Sequence, residues 1–229
     1  MNSPQAPGRL ALYGYLAWLT ATVGGASLGV VMGAIVGWLL SLPIMIISQS
    51  AGSSSGLVSG AQGVAGSLML AIVAAGIGIG QSVVLEIWYG YRIRLPWIIL
   101  TVLTWVVAAI AVGMVRPSSI WTFFLLKLVF GTAVGLGQLL VLRVYVPRAA
   151  LWVAVSAVSL MLAESVSLLP VGPSILLVPA SALIYGAVSG PGIVWLVLRE
   201  TLARQTPELT AEQSTAMPSP ATPPERRAV

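Results

Sequence analysis

The chain reads as an all-α integral membrane protein. The expectation is six transmembrane helices, built as three tandem helical hairpins in a pseudo-threefold arrangement, with both termini cytoplasmic. Three observations carry it: composition, a glycine motif written three times, and the placement of arginines. Hydrophobic residues make up 58% of the 229 and charged residues 7%, where soluble domains carry roughly 25% charged. The mean hydropathy is +0.98. A hydrocarbon core about 30 Å thick takes roughly 20 apolar residues per helix, and six such stretches are present.

The motif is clearest in Gly131-Thr-Ala-Val-Gly135-Leu-Gly137-Gln138, followed by an apolar run to Arg143. It is preceded by Ala74-Ala-Gly-Ile-Gly78-Ile-Gly80-Gln81, closing at Glu86, and followed by Gly186-Ala-Val-Ser-Gly190-Pro-Gly192, closing at Arg199. Gly78, Gly135 and Gly190 lie 57 and 55 residues apart, and a fixed period of that size in an apolar chain signals a repeated hairpin. Lipid gives helices little hydrophobic reason to associate, so small residues four apart, which let backbones touch, supply much of the force. Gly131 with Gly135 and Gly186 with Gly190 are such pairs, and Ala74 with Gly78 is the same with one methyl. Gly25, Gly29, Gly33 and Gly37 form a longer glycine-zipper run in the first helix.

In chain order, residues 1–9 form a polar, Pro-containing tail expected to be disordered. Leu10 to Ile47 is uncharged for 38 residues, about 57 Å as one helix. That predicts an interfacial start at Tyr13, Tyr15 and Trp18, a span over about 14–40, and an extension disturbed at Pro43. Ser48 to Gly63, rich in Ser and Gly, reads as a flexible external loop. Further helices are expected at about 64–88, 97–115, 120–144, 149–169 and 174–198, completing a membrane domain over 10–199. Residues 200–229 have too little apolar surface to fold alone and read as a disordered cytoplasmic tail.

Orientation follows the cations. With the N-terminus inside, Arg9, Arg92, Arg94, Arg143, Arg148, Arg199, Arg204, Arg226 and Arg227 all fall on the cytoplasmic side and Arg116 alone outside, a strong positive-inside bias. Each hairpin then enters after an Arg and a Trp (Trp18, Trp97, Trp152) and returns on a motif-bearing helix. Parallel repeats of this kind are related about the membrane normal in transporters.

The hairpins resemble a group of uncharacterised bacterial multi-pass membrane proteins whose Gly-rich segments end in a Gln-Trp-Leu-Val-Leu-Arg-like signature. Gly137-Gln-Leu-Leu-Val-Leu-Arg143 matches with Leu139 in place of Trp, and Trp195-Leu-Val-Leu-Arg199 keeps the Trp with Val194 in place of Gln. The resemblance implies the bacterial cytoplasmic membrane and a multi-pass fold, and brings no activity with it.

Chemistry is narrowly bounded. There is no Cys, His or Asp, which removes thiol and Ser–His catalysis and the usual zinc, haem and iron–sulfur ligand sets. No cofactor, no metal and no nucleic-acid partner is expected, and the chain does not read as an enzyme. The expected partners are the lipid bilayer and other membrane-protein subunits; a small-molecule ligand stays unassigned. Intramembrane polar groups are the remaining candidates, because each is costly unless paired. Lys127 and Glu164 lie about 18 residues either side of the turn near Tyr145, hence at equal depth, and are expected to form an ion pair. Gln81 and Gln138 occupy one repeat position, as cavity donors or interhelical hydrogen-bond groups. Pro191 interrupts the third motif. Glu86 stands where Arg143 and Arg199 end the other copies, and is expected to meet one of these inner-end charges or the local Arg92 and Arg94. Two functions fit: a helix-packing scaffold or accessory subunit, or a small-solute carrier or membrane-embedded binding component of an importer.

Overall fold

The computed structural model describes residues 7–50, 55–115, 117–168 and 174–216; side chains are described for 9–43, 46, 65–112, 114–115, 117–168 and 177–200. Among these residues the fold is entirely helical: α1 (Pro7–Ser50), α2 (Ser55–Tyr89), α3 (Arg94–Gly113), α4 (Ile120–Leu142), α5 (Leu151–Glu164) and α6 (Ser174–Ala216), with short 3-10 turns at Tyr91–Ile93 and Ser165–Leu168. All six helical segments are long and apolar enough to cross a membrane. The boundaries differ from expectation in physical detail. α1 runs through Pro43 without a break, as apolar helices in lipid tolerate proline. Helix resumes at Ser55 inside the stretch read as loop, and α6 continues to Ala216 through a run rich in helix-favouring Ala, Leu, Glu and Gln. The α2–α3 turn is set by Gly90 at φ 82°, the conformation that glycine alone adopts freely, with its N–H on Glu86 O at 2.9 Å. Ser119 caps α4, its hydroxyl accepting from Thr122 N at 3.2 Å.

Each helix packs on its neighbours in sequence and α6 closes on α1, so the helices form a ring. Glycine sets how closely they approach. A methyl built on Gly25 would strike the Gly76 carbonyl, one on Gly76 the Gly25 carbonyl, and one on Gly80 the Ala21 carbonyl. At Gly29 it would stand 2.7 Å from Val73 Cα, where real Cβ atoms do not go. The α1–α2 contact is therefore backbone on backbone over three turns. Gly33 still meets Met69, while at Gly37 no described atom stands within 4 Å, so the run expected to reach Gly37 makes its close contacts at its first three members.

The motif glycines divide between two faces. A methyl built on Gly131 would stand 2.8 Å from Ala157 Cα and one on Gly135 3.0 Å from Val153 Cα, both on α5. Methyls on Gly186 and Gly190 would meet the Leu19 and Tyr15 side chains on α1, and one on Gly78 would stand an ordinary 3.4 Å from Ile98 Cα on α3. The closing glycine of each copy turns the other way: Gly80 to α1, Gly137 to Thr104 on α3, Gly192 to Val155 on α5. α4 and α6 thus use their glycine pairs on the helix that follows, α2 uses Gly78 in the same way, and each uses its last glycine on the helix before. Gly78, expected among the tight contacts, is the loosest of the motif pairs; Gly76 and Gly80, themselves four apart, carry the close approach in α2.

Buried side chains form two apolar layers. One, near the arginine-bearing turns, contains Trp18, Leu85, Ile93, Trp97, Leu142 and Trp152. The other, toward the far end, contains Ala26, Ile77, Trp105, Phe130, Leu160 and Tyr185. The ring's exterior is apolar as well: Leu28, Ile35, Leu103, Val107, Leu125 and Leu140 are all about half exposed or more. An exterior of that kind suits lipid and not water.

Substitution at the close contacts tests this packing. Gly25→Ala and Gly80→Ala should each cost about 1–3 kcal/mol, the usual cost of overpacking, read as a lowered unfolding midpoint in detergent. Gly24→Ala, whose methyl would meet nothing within 4 Å, should be neutral to within about 0.5 kcal/mol. Equal losses at all three positions would contradict the backbone contact as the source of stability.

Candidate functional site

Between the two apolar layers every helix contributes a buried polar residue, Thr22, Gln81, Thr101, Gln138, Ser156 and Ser189, all at most 1% exposed; Ser82 and Ser159 are buried too, but their hydroxyls donate to carbonyls of their own helices, Ile79 O and Val155 O. Thr22, Thr101 and Ser156 each follow a buried tryptophan by four residues, one helical turn. Those tryptophans, Trp18, Trp97 and Trp152, are fully buried and meet one another, with ring centroids 5.7 to 6.4 Å apart. Trp18 stands nearly edge-on to Trp152, at 88°, and at 73° to Trp97. Edge-to-face geometry places positive ring edges on negative faces and adds about 0.5–1.5 kcal/mol per pair beyond area burial. Three indoles so placed fill the axis of the ring at this level.

The polar layer is wired across helix interfaces. Gln81 Nε2 donates to Thr22 Oγ1 at 3.3 Å, and Gln138 Nε2 donates to Thr101 Oγ1 at 3.2 Å. Trp152 Nε1 donates to Gln138 Oε1 at 2.8 Å, and Trp18 Nε1 to Ser189 Oγ at 3.0 Å. Gln138 therefore joins α3, α4 and α5. The position in the third motif that answers to Gln81 and Gln138 is Ile193, fully buried. Its effect is visible on both sides: Trp18 bonds Ser189, one turn before Ile193, and Ser156 Oγ has no hydrogen-bond partner. Gln81 Oε1 and Trp97 Nε1 also lack partners, although the comparable pair Gln138 and Trp152 is closed. Unpaired polar atoms at this depth each cost roughly 1–3 kcal/mol.

Farther from the arginine-bearing turns, a cavity of about 390 Å³ lies within the ring, lined by α2, α3, α5 and α6. Val73, Ile77, Trp105, Leu160 and Ala182 give it apolar walls, and Tyr185 also lines it. The Tyr185 side chain faces Ser156, Gln81 and Gln138. Glu164 contributes the one carboxylate of the lining. Lys127 Nζ donates to Glu164 Oε2 at 2.7 Å, with the two side chains 24% and 27% exposed, and also stands 5.4 Å from the Phe123 ring centroid. The carboxylate is thus neutralised where it stands.

Other predicted residues fall elsewhere. Pro191 is exposed on a continuous α6 and does not join Gln81 and Gln138; the proline ring has no donor and sits most easily where no neighbour needs one. Glu86 pairs with Arg94 across the Gly90 turn at 3.5 Å, the local partner rather than Arg143 or Arg199. Arg199 lies over the Trp195 ring at 5.1 Å, and Arg143 follows α4 as its C-cap, where a cation complements the helix dipole. The tryptophan contact and its threonine and serine partners were missed as site residues. The signal was present in Trp18–Thr22, Trp97–Thr101 and Trp152–Ser156, one spacing written three times. Comparison with protein-family models, curated proteins and solved structures finds no match to this chain.

Two measurements follow. Trp152→Phe removes a donor and leaves Gln138 Oε1 without it, whereas the Trp97 donor has no partner to lose; Trp152→Phe should be the more destabilising by about 1 kcal/mol. Lys127→Met and Glu164→Gln should each cost about 2 kcal/mol or more, since each leaves one charge unpaired at membrane depth. The double variant should lose less than the sum of the two; strict additivity in detergent unfolding would rule out coupling between them.

Proposed function

We propose that the chain is a non-catalytic polytopic protein of a bacterial cytoplasmic membrane, a helix-packing scaffold or accessory subunit of a membrane assembly. Its three hairpins, α1–α2, α3–α4 and α5–α6, are internal repeats arranged about a pseudo-threefold axis, with both termini cytoplasmic. The observation that carries the reading is the tryptophan contact beneath a cross-bonded polar layer, which fills the axis of the ring and leaves the arginine-bearing half dry. Repeat symmetry is supported by the glycine faces, which alternate in the same sense on α2, α4 and α6, and by the tryptophans meeting at one level. The cytoplasmic placement rests on the arginines, nine on one side against one on the other.

One observation favours the carrier reading instead: the cavity of about 390 Å³ in the far half. Against it, the one carboxylate among the lining residues is already paired, and Pro191 lies outside the lumen. Carriers that couple to ions generally place unpaired polar or charged groups at the midplane site.

Cysteine labelling checks the orientation. A cysteine at Ser118 should react with an impermeant reagent from outside intact cells and one at Ser214 should not; the reverse pattern would overturn the topology. Solute flux separates the functional readings. Proteoliposomes holding the chain alone should retain entrapped sugars and amino acids, and mild-detergent extraction of native membranes should yield it in constant stoichiometry with a second membrane protein. Solute release by the isolated chain would replace the scaffold with the carrier.

A further inference from the structure

We infer that the cavity within the far half of the ring is a binding site for an uncharged amphiphile, a single alkyl or isoprenyl chain ending in a hydroxyl or carbonyl group. This assignment stands independently of the scaffold reading. Size comes first: about 390 Å³ lies within the range of roughly 300–1,000 Å³ typical of small-molecule sites. The walls select an apolar body, since Val73, Ile77, Leu160 and Ala182 offer only hydrocarbon and Trp105, held edge-on against Phe130 with centroids 5.3 Å apart, offers a flat ring. Charge is excluded by the state of Glu164. Its carboxylate is held by Lys127 at 2.7 Å, so an incoming cation would have to compete with an existing partner, and an anion would meet the carboxylate.

The polar end follows from what adjoins the cavity. Tyr185 lines it and faces Gln81, Gln138 and Ser156 of the buried polar layer, where neither Gln81 Oε1 nor Ser156 Oγ completes a well-formed hydrogen bond. Ser156 is unpartnered because the third hairpin has Ile193 where the others have glutamine. The unfilled hydrogen-bonding capacity therefore lies beside the cavity, on α2 and α5, which stand opposite one another in the ring. A terminal hydroxyl or carbonyl could bond Tyr185 and join this cluster, while a carboxylate or ammonium would have to be desolvated there at far greater cost. The bilayer itself is the source of such molecules, and the cavity sits among helices that span it.

The experiment uses the full chain in lipid nanodiscs and a dodecanol carrying a photoreactive diazirine on its alkyl chain. Cross-links mapped by peptide mass spectrometry should fall on Trp105, Leu160 and Ala182. Unlabelled dodecanol should compete, and dodecanoate and dodecane should compete more weakly. Ala182→Phe, which fills the cavity, should abolish these cross-links; Ala163→Leu serves the same purpose if Ala182→Phe does not fold. Tyr185→Phe should weaken dodecanol about fivefold, the weight of one hydrogen bond, and leave dodecane unchanged. Cross-links spread over the outward-facing Leu28, Ile35, Leu103 and Leu125, or undiminished in the cavity-filled variant, would overturn the assignment. Equal competition by dodecanoate would overturn the requirement for an uncharged end.

Discussion

Direct contact between helix backbones is the constraint on which this structure rests. In hydrocarbon, separating two apolar helices exposes nothing to water, so the hydrophobic effect that assembles soluble bundles is weak between them. What remains is dispersion, small per atom pair and short in range, and it becomes useful only if side chains do not hold the helices apart. The Gly25–Gly76 and Gly80–Ala21 contacts remove that obstacle between α1 and α2, and Gly131 and Gly135 do so between α4 and α5, while Gly186 and Gly190 make room for the Leu19 and Tyr15 side chains of α1. Everything at the axis depends on this. Only helices brought so close let three indoles from different helices share one level, and only then do glutamines reach hydroxyls on neighbouring helices.

The polar layer adds direction to a packing force that has little. Apolar helices can slide and rotate on one another at small cost, whereas a glutamine bonded to a threonine on one side and an indole on the other fixes register. Gln138 does this for α3, α4 and α5 with two bonds; Gln81 does less, with one longer bond to Thr22. Buried polar groups often contribute more to specificity than to stability, and the division here fits that view. The dry tryptophan layer and the cavity-bearing far half meet at this plane.

Much of the fold was legible in the sequence because lipid imposes simple rules. Span length, glycine spacing and arginine placement each follow from a single physical requirement, and together they anticipate six helices. Equal depth for Lys127 and Glu164 needed only the rise per residue. Other features were hidden for definite reasons. Glycines at 76, 78 and 80 point around the helix, so spacing alone left open which faced α1 and which α3. Glu86 found Arg94 because the Gly90 turn folds the chain back locally, a nearer solution than any cation on another hairpin. Tryptophans near helix ends ordinarily suggest interfacial anchors, and nothing in Trp18 read alone distinguishes an anchor from a ring buried on the axis. The cavity was invisible to sequence, being a property of where four helices fail to meet.

Closure of the ring by α6 on α1 has a consequence for biosynthesis. Of these six helices α1 leaves the ribosome earliest, yet it is the last to gain its second neighbour. Until α6 arrives, the Trp18 indole lacks its Ser189 acceptor, and the surface of α1 that will receive Gly186 and Gly190 faces bare lipid or the insertion machinery. A nascent chain stopped after five helices would hold an open seam with a buried donor exposed to hydrocarbon. Such an intermediate is the natural point for quality control to act, and a defect confined to the sixth helix would be sensed at the first.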